Sequence, residues 1–194
     1  YRFLFSPAST MFLIPFTHGT STSAIAGYHL LTRDISPIVM TPFQHSLMDF
    51  SHSYFIYDLI NVCLNREYLY MTHHTPIMIF MHLFKKYDYG RLFMQSLFLG
   101  EITNPFLNIW LYSKKDVQSQ LFRVINHVFT LLFVAVRGLI MPWFFFSSLM
   151  EIKNDLRVEK MDYYLLCILS IVFNIANLAW MRGLVKGYFK WLRQ

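Results

Sequence analysis

Residues 54–84, YFIYDLINVCLNREYLYMTHHTPIMIFMHLF, combine long apolar runs with ionisable side chains. Apolar runs of this length indicate helices that cross a lipid bilayer, because roughly 20 residues of α-helix span about 30 Å of hydrocarbon. The segment also carries Asp58, the adjacent pair His73 and His74, and His82. A charge at mid-bilayer costs roughly 2.5–3.5 kcal/mol, so we expect these side chains to face one another or a ligand inside a helical bundle.

The whole chain has the composition of an integral membrane protein. Apolar and aromatic residues make up 55% and charged residues 14% of the 194 residues, and the mean hydropathy is +0.38, which is high for a water-soluble domain. Its apolar runs predict about six helices, at 8–31, 46–64, 67–84, 92–112, 121–149 and 163–187. We therefore predict one all-α domain over residues 1–194, a polytopic transmembrane helical bundle whose consecutive helices are antiparallel neighbours. Because the chain opens with Tyr1, we expect its N-terminal part to be missing or processed.

Polar side chains inside the predicted fourth helix recur at helical spacing. Glu101, Asn104 and Asn108 stand at i, i+3 and i+7, so they share one face. Pro105 is expected to loosen the turn between them. This face is predicted to turn inward, towards other polar groups or a ligand.

The predicted fifth helix carries Arg137, the deepest fixed positive charge of the chain. A buried guanidinium needs a counter-charge, and Glu101 and Asp58 are the candidates. The sixth helix adds Asn174 and Asn177 at i and i+3 as further inward donors and acceptors. The alternative is that these groups form ordinary interhelical hydrogen bonds, which contribute only about 0.6 kcal/mol each.

The histidines do not have the spacing of a metal site. Neighbouring residues on a helix point about 100° apart, so His73 and His74 cannot jointly hold one ion. His45, Asp49 and His52 share a face, but they lie near a span entrance, where solvent contact explains them. We predict no metal site and no cofactor.

The basic and aromatic residues between the apolar runs are interpreted as membrane anchors. The net charge of +6 comes mostly from Lys and Arg that flank the spans, where anionic headgroups lie. Nucleic-acid binding is excluded because the sequence has no dense basic patch. Trp143, Trp180 and Trp191 stand near span ends and are interpreted as interface anchors.

Six stretches occur in an order and spacing that resemble one known family. They are FTHGTSTSAIAGYHLL (16–31), SYFIYDLI (53–60), MTHHTPIMIF (71–80), LGEITNPFLNIWLYSK (99–114), Arg137–Pro142 and FNIANLAWMRGLVKGYFKW (173–191). The chain resembles the TLC family, the membrane proteins grouped around TRAM, the Lag1-type ceramide synthases and the CLN8-like proteins. The resemblance implies a helical barrel around a central membrane cavity that opens to an acyl chain, with the histidine of the first stretch, His18, among its polar groups.

In the ceramide synthase branch, a double histidine and a following pair of aspartates are implicated in acyl transfer from acyl-CoA to an amine. By resemblance, His73 and His74 match the histidine pair, and an imidazole can take the proton of an attacking amine or receive the acyl group itself. Glu101 and Asn104 stand where the aspartates would be. Because an asparagine has no charge to stabilise an imidazolium, the chain looks closer to the small CLN8-like and TLC-domain-containing branch than to full ceramide synthases.

Two functions of different classes follow. The first is an integral membrane protein that binds a lipid or acyl chain in a polar intramembrane cavity, as a lipid-handling or structural accessory subunit of a larger membrane assembly. The second is an acyltransferase that uses acyl-CoA as a substrate. The incomplete acid pair favours the first. A transporter would show two related halves, and the sequence has no internal repeat.

Each function has its own candidate residues. The catalytic candidates for the acyltransferase are His73, His74, Asp58 and Glu101, and the ligand-binding candidates are His18, Asn104, Asn108, Arg137, Asn174 and Asn177. The expected partners are a membrane lipid and other membrane protein subunits. The family resemblance implies the endoplasmic reticulum, and the mitochondrial inner membrane is the alternative location.

Overall fold

The computed structural model describes residues 7–33, 39–66 and 68–193. Within these ranges the chain forms eight α-helices and no strand: α1 (Pro7–Thr32), α2 (Pro42–Leu64), α3 (Tyr68–Lys86), α4 (Gly90–Glu101), α5 (Asn104–Ser113), α6 (Gln120–Phe133), α7 (Met141–Ile152) and α8 (Lys160–Trp191). A π-helical segment, Val134–Ile140, joins α6 to α7 without a break. The all-helical prediction is confirmed, and the predicted fourth helix is the pair α4 and α5.

Local sequence signals explain where the helices begin. Thr41 and Gln44 form a capping box before α2: the Thr41 hydroxyl accepts from the Gln44 amide at 3.2 Å, and the Gln44 side chain accepts from the Thr41 amide at 2.8 Å. The hydroxyl of Ser119 caps α6 in the same way, at 3.2 Å from the Phe122 amide. Pro105 lies in the first turn of α5, where its missing N–H breaks no helical hydrogen bond.

Two continuous helical rods are long and apolar enough to cross a membrane by length and composition. They are Gln120–Ile152, with 33 residues, and Lys160–Trp191, with 32 residues. Among the described residues, the other helices do not reach this threshold. Asp58, His73 and His74 illustrate the reason, since such side chains lower the hydropathy of α2 and α3.

The helices contact one another in a closed ring. Its order is α1, α2, α3, α8, the rod of α6 and α7, the rod of α5 and α4, and α1 again. The expected close pairing of consecutive helices holds for α2 with α3 but not for α1, which packs far more on α4 and α5 than on α2. Two glycines explain this, because a Cβ on Gly19 would lie 2.8 Å from the Asn104 Cβ, and one on Gly27 would lie 3.0 Å from the Phe98 ring.

One end of the ring is closed by packed side chains and ion pairs. We call it the ion-paired end; it includes the α3–α4 and α7–α8 connections. Lys86 Nζ lies 2.8 Å from Glu159 Oε1 and 2.7 Å from Asp162 Oδ2, and the Tyr87 hydroxyl also donates to Asp162 at 2.6 Å. The hydrogen bonds from Arg157 hold the pKa of Asp155, in the α7–α8 connection, well below its usual range.

Candidate functional site

A cavity of about 790 Å³ lies inside the ring, and all eight helices contribute to its wall. Its size falls in the range of about 300–1,000 Å³ that is typical of small-molecule sites. Much of the wall is apolar, and its larger side chains include Ile77, Phe80, Met81, Phe93, Phe129, Phe145 and Phe173. Such a wall favours an aliphatic chain over a fully polar ligand.

The cavity reaches the end of the ring opposite the ion-paired end. Asn65, Lys114 and Gly187 line it there and are exposed, and we call this the open end. A Cβ on Gly187 would meet no atom within 4 Å, so the wall leaves space at this point. Phe173 and Trp191 both line the cavity and stand 18 residues apart on α8, which gives a lined length of about 27 Å.

The histidine pair on α3 lies in the cavity wall beside a carboxylate from α2. His74 Nε2 lies 3.2 Å from Asp58 Oδ2. The His73 ring stacks on Phe173, with ring centroids 4.5 Å apart, and contacts Trp180 at 4.7 Å. Among the described residues, the buried Nδ1 atoms of both histidines have no hydrogen-bond partner. A proton on Nε2 of His74 is held by the Asp58 carboxylate, which fixes the orientation of the ring and leaves the free lone pair on the buried Nδ1.

The polar face predicted for the fourth helix is assembled across the break between α4 and α5. Asn104 Nδ2 donates to Glu101 Oε2 at 2.8 Å, and Asn108 Nδ2 donates to the Asn104 carbonyl at 2.8 Å. All three residues line the cavity. His18 lies behind Glu101, outside the lining, with Nδ1 3.5 Å from Glu101 Oε2 and its ring stacked at 3.7 Å on Tyr54.

The close approach of α1 to this face leads to a prediction about Gly19. A Cβ at this position would lie 2.8 Å from the Asn104 Cβ and 3.1 Å from Glu101 Oε2. We expect Gly19→Ala to lower the free energy of unfolding by about 1–3 kcal/mol, because the added methyl forces α1 and α5 apart. The measurement is the unfolding midpoint in detergent micelles.

The matched control is Gly187→Ala, where the new methyl meets no atom within 4 Å. It should be neutral or stabilising, because alanine favours a helix over glycine by about 1 kcal/mol. Equal stabilisation by both substitutions would contradict the close contact of α1 with α5.

Arg137 lies in the π-helical segment and is 5% exposed. It donates to the carbonyl of Gly100, to Thr103 Oγ1 at 3.4 Å and to Asn177 Oδ1 at 3.5 Å. No carboxylate of the described ranges lies within 4.0 Å of this guanidinium, so neither candidate counter-charge forms a direct ion pair with it; Glu101 interacts with Arg137 only at longer range. The break after α4 supplies the physical reason, because the last carbonyls of a helix have no helical donor and carry its negative dipole end.

The two asparagines predicted on the last helix differ in placement. Asn177 is 1% exposed and supports Arg137 from behind the cavity wall. Asn174 is partly buried, lies outside the cavity lining, and donates to the Ser170 carbonyl of its own helix at 2.7 Å. The structure therefore brings Asn177 to the site through Arg137 and leaves Asn174 apart from it.

Two of the three tryptophans that were predicted to anchor the protein at the membrane interface lie in the cavity wall. Trp180 and Trp191 line the cavity, whereas Trp143 is 68% exposed, as an interface anchor should be. The signal that could have distinguished them is periodicity. Lining positions on the C-terminal half of α8 are Trp180, Gly183, Leu184, Gly187, Tyr188 and Trp191, at i, i+3, i+4, i+7, i+8 and i+11.

Other polar residues of the wall lay outside the predicted site. Asn61 and Asn65 on the C-terminal side of α2 line the cavity, and Trp110 Nε1 donates to Asn126 Oδ1 at 2.8 Å across α5 and α6. Across the ranges that the structure describes, no group of three or more His, Cys, Asp or Glu side chains could hold a metal ion. The polar groups of the wall are thus amides, imidazoles, two carboxylates, one guanidinium and the hydroxyls of three tyrosines and Ser96, together with the indoles and Lys114 nearer the open end.

The sequence profile of the TLC domain (TRAM, LAG1, CLN8) matches residues 1–186. The chain belongs to the TLC domain family. Membership of this family indicates a lipid-related membrane protein, and the two long apolar rods are consistent with an integral one. Comparisons with curated proteins and with solved structures gave no match. The histidine pair, Arg137 and the cavity wall up to Leu184 lie within the matched residues, whereas Gly187, Tyr188 and Trp191 at the open end lie just beyond them.

Proposed function

We propose that this TLC domain protein binds a membrane lipid with an acyl chain inside the cavity and serves in lipid handling. The observation that carries the proposal is the cavity itself, about 790 Å³ with largely apolar walls. The wall also presents His74, Asp58, Glu101 and Arg137, which can bind an ester or amide group. A ligand with both an aliphatic chain and polar atoms satisfies both parts of the wall.

We propose further that the helical rods form a six-span barrel. Two observations support it: the helices contact in a closed ring, and their ionisable side chains line the space inside it. A helix that shares its polar face with such a cavity need not be apolar all round. This accounts for the low hydropathy of α2 and α3 without removing them from the bilayer.

We propose more specifically that the protein is an accessory subunit of a larger membrane assembly. We also place it in the small CLN8-like branch of the family, and in the endoplasmic reticulum or the mitochondrial inner membrane. The subunit role is supported by exposed apolar side chains on the α6–α7 rod, such as Leu139, Trp143 and Phe146, which are 58–68% exposed. These faces can contact lipid or neighbouring subunits. The native mass of the protein extracted in mild detergent tests this role, and a lone monomer would contradict it.

Filling the cavity at the open end tests lipid binding. We expect the double substitution Gly183→Phe and Gly187→Phe to reduce the lipid that co-purifies with the protein by about tenfold or more, which is about 1.4 kcal/mol of binding. A Cβ at either position meets no atom within 4 Å, so the new rings enter space instead of displacing the helix. The measurement is lipid per protein by native mass spectrometry.

The matched control is Leu139→Phe on the outer face, where the side chain is 68% exposed. It should keep the bound lipid. A folded double variant that retains all its lipid would contradict the proposal.

A second candidate function is acyl transfer, favoured by the 3.2 Å contact between His74 Nε2 and Asp58 Oδ2. In this reaction the nitrogen of an amine attacks the thioester carbonyl of an acyl-CoA. His74 takes the proton from the nitrogen, the C–N bond forms, and the C–S bond breaks. The departing thiolate takes the proton from His74, which restores the neutral imidazole. Asp58 orients the ring and stabilises its charged form.

A further inference from the structure

The charges of the protein are distributed unequally between the two ends of the ring. The open end contains eight described Lys and Arg residues: Arg66, Lys114, Lys115, Arg123, Arg182, Lys186, Lys190 and Arg193. The described carboxylate there is Asp116. In the described part of the chain, none of these eight cations has a carboxylate within 4.0 Å, because every ion pair of a Lys or Arg lies elsewhere.

The ion-paired end has the opposite character. Its described cations are Arg33, Lys85, Lys86, Arg91, Lys153, Arg157 and Lys160, and its described carboxylates are Asp49, Asp88, Glu151, Asp155, Glu159 and Asp162. Four of the seven cations are paired, for example Arg91 Nη2 with Glu151 Oε1 at 2.7 Å. The difference is therefore one of compensation: among the described residues, seven cations meet six carboxylates at this end, and eight meet one at the open end.

The uncompensated cations lie around the entrance of the cavity. Lys114 lines the cavity, with Nζ 4.4 Å from the centroid of the Trp110 ring. On α8, Arg182, Lys186 and Lys190 stand at i, i+4 and i+8, and together with Arg193 just after the helix they form one exposed stripe. The stripe lies beside the face that carries Gly183 and Gly187, where the cavity wall is open. We call Lys114 and this stripe the basic rim.

We propose that the ligand is a lipid with a phosphate headgroup, held by the basic rim while its acyl chain occupies the cavity. The inference rests on the proposed function, since it names the class of lipid that the same cavity binds. Phosphate oxygens accept bonds from the arginine fork and pair with lysine as a point charge. A neutral headgroup would leave the basic rim uncompensated.

The length of the cavity agrees with a ligand whose acyl chain lies inside it and whose headgroup lies at the open end. The wall along α8 is about 27 Å long, from Phe173 to Trp191. One acyl chain occupies about 15 Å, half the hydrocarbon thickness of a bilayer. One chain therefore occupies only part of this wall and leaves room for a polar headgroup at the level of Gly187 and Trp191, where the basic rim lies.

The decisive comparison uses two ligands that differ only in the phosphate. Lysophosphatidic acid and monoacylglycerol with the same acyl chain are titrated into the purified protein in a non-ionic detergent, and their dissociation constants are measured by tryptophan fluorescence. We expect lysophosphatidic acid to bind at least tenfold more tightly, since each cation near a phosphate contributes roughly a fivefold gain. The preference should decrease as salt is raised, because exposed charges are screened.

Charge-matched variants locate the phosphate. In Lys114→Gln/Arg182→Gln/Lys186→Gln the preference should fall to about twofold, because three cations of the basic rim are lost. The control, Arg33→Gln/Lys153→Gln/Lys160→Gln, removes the same charge at the ion-paired end from cations that have no described carboxylate within 4.0 Å, and it should keep the preference. A preference that survives in the first variant, or is lost equally in both, overturns the proposal.

Two further ligands identify the source of the phosphate. Inorganic phosphate should not displace lysophosphatidic acid at equal concentration, because the acyl chain contributes much of the binding; displacement would overturn the proposal. An acyl-CoA of the same chain length should bind no more tightly than lysophosphatidic acid, and a tenfold preference for it would assign the rim to a thioester donor instead. Equal, tight binding of both glycerol lipids would overturn the phosphate inference and leave lipid binding intact, whereas no binding of either would contradict the proposed function.

Discussion

Replacing Arg137 by alanine is expected to lower the free energy of unfolding by about 3 kcal/mol. The substitution leaves the Gly100 carbonyl, Thr103 Oγ1 and Asn177 Oδ1 without their common donor. A buried acceptor that loses its partner costs roughly 1–3 kcal/mol, and the adjoining cavity reduces the sum because water can reach part of the site. The measurement is reversible unfolding in detergent micelles, followed by tryptophan fluorescence.

Arg123→Ala is the control for Arg137→Ala. Arg123 lies on the same continuous helical rod but is exposed, so its loss should change stability by less than about 0.5 kcal/mol. Arg137→Lys should recover part of the loss, since one ammonium group reaches fewer of the acceptors than a guanidinium fork. If Arg137→Ala were as stable as Arg123→Ala, Arg137 would not join the α4–α5 junction to α8 as described.

If the TLC domain is an acyltransferase, His74→Ala is expected to reduce acyl transfer by about 10²–10⁴-fold, the usual contribution of a general base. Asp58→Asn should reduce it less, because the histidine remains but loses the carboxylate 3.2 Å from its Nε2. The measurement is transfer of a labelled acyl group from acyl-CoA to amine and lysolipid acceptors.

His82→Ala is the matched control, since this histidine lies two turns further along the same helix and is exposed outside the cavity lining. It should keep full activity. If the native protein forms no product with any acceptor, the transferase candidate is removed and the binding proposal remains. Equal losses in His74→Ala and His82→Ala would indicate a general effect on α3 instead of catalysis at His74.

The placement of the helices could be predicted closely from the chain because it depends on local properties. The predicted helix at 163–187 corresponds to Lys160–Trp191, and the one at 121–149 corresponds to the rod Gln120–Ile152. Pro105 was expected to loosen the fourth helix, and the helix divides between Glu101 and Asn104. The length of an apolar run, the capping residues and the prolines determine where a helix begins and ends through residues close in the sequence. They can therefore be read from the sequence alone.

The contacts among the side chains of the site could be predicted less completely, because they depend on which faces of which helices pack against one another. His74 beside Asp58, and Glu101 beside Asn104, follow from the inward-facing pattern. The partners of Arg137 could not be predicted in this way, because every residue has a backbone carbonyl and the sequence does not show that the one of Gly100 is left without a helical donor. The sequence predicts Trp180 at the membrane interface, whereas the structure places it in the cavity wall. An aromatic residue near a helix end can face either the lipid or the interior, and only its neighbours in space decide between the two.

Composition and periodicity alone were enough to specify a helical membrane protein with an inward polar face, since both are properties of the chain itself. The pairing of α1 with α4 and α5, the π-helical position of Arg137 and the concentration of uncompensated cations at one end of the cavity arise only when distant segments pack together. The physical reason is that the effect of a charged side chain depends on which opposite charges lie close to it in space. The nine Lys and Arg residues of Lys85–Arg91, Lys114–Arg123 and Lys153–Lys160 look alike along the chain. In space, four of them form ion pairs at one end of the ring, whereas Lys114, Lys115 and Arg123 lie at the open end without a described carboxylate within 4.0 Å.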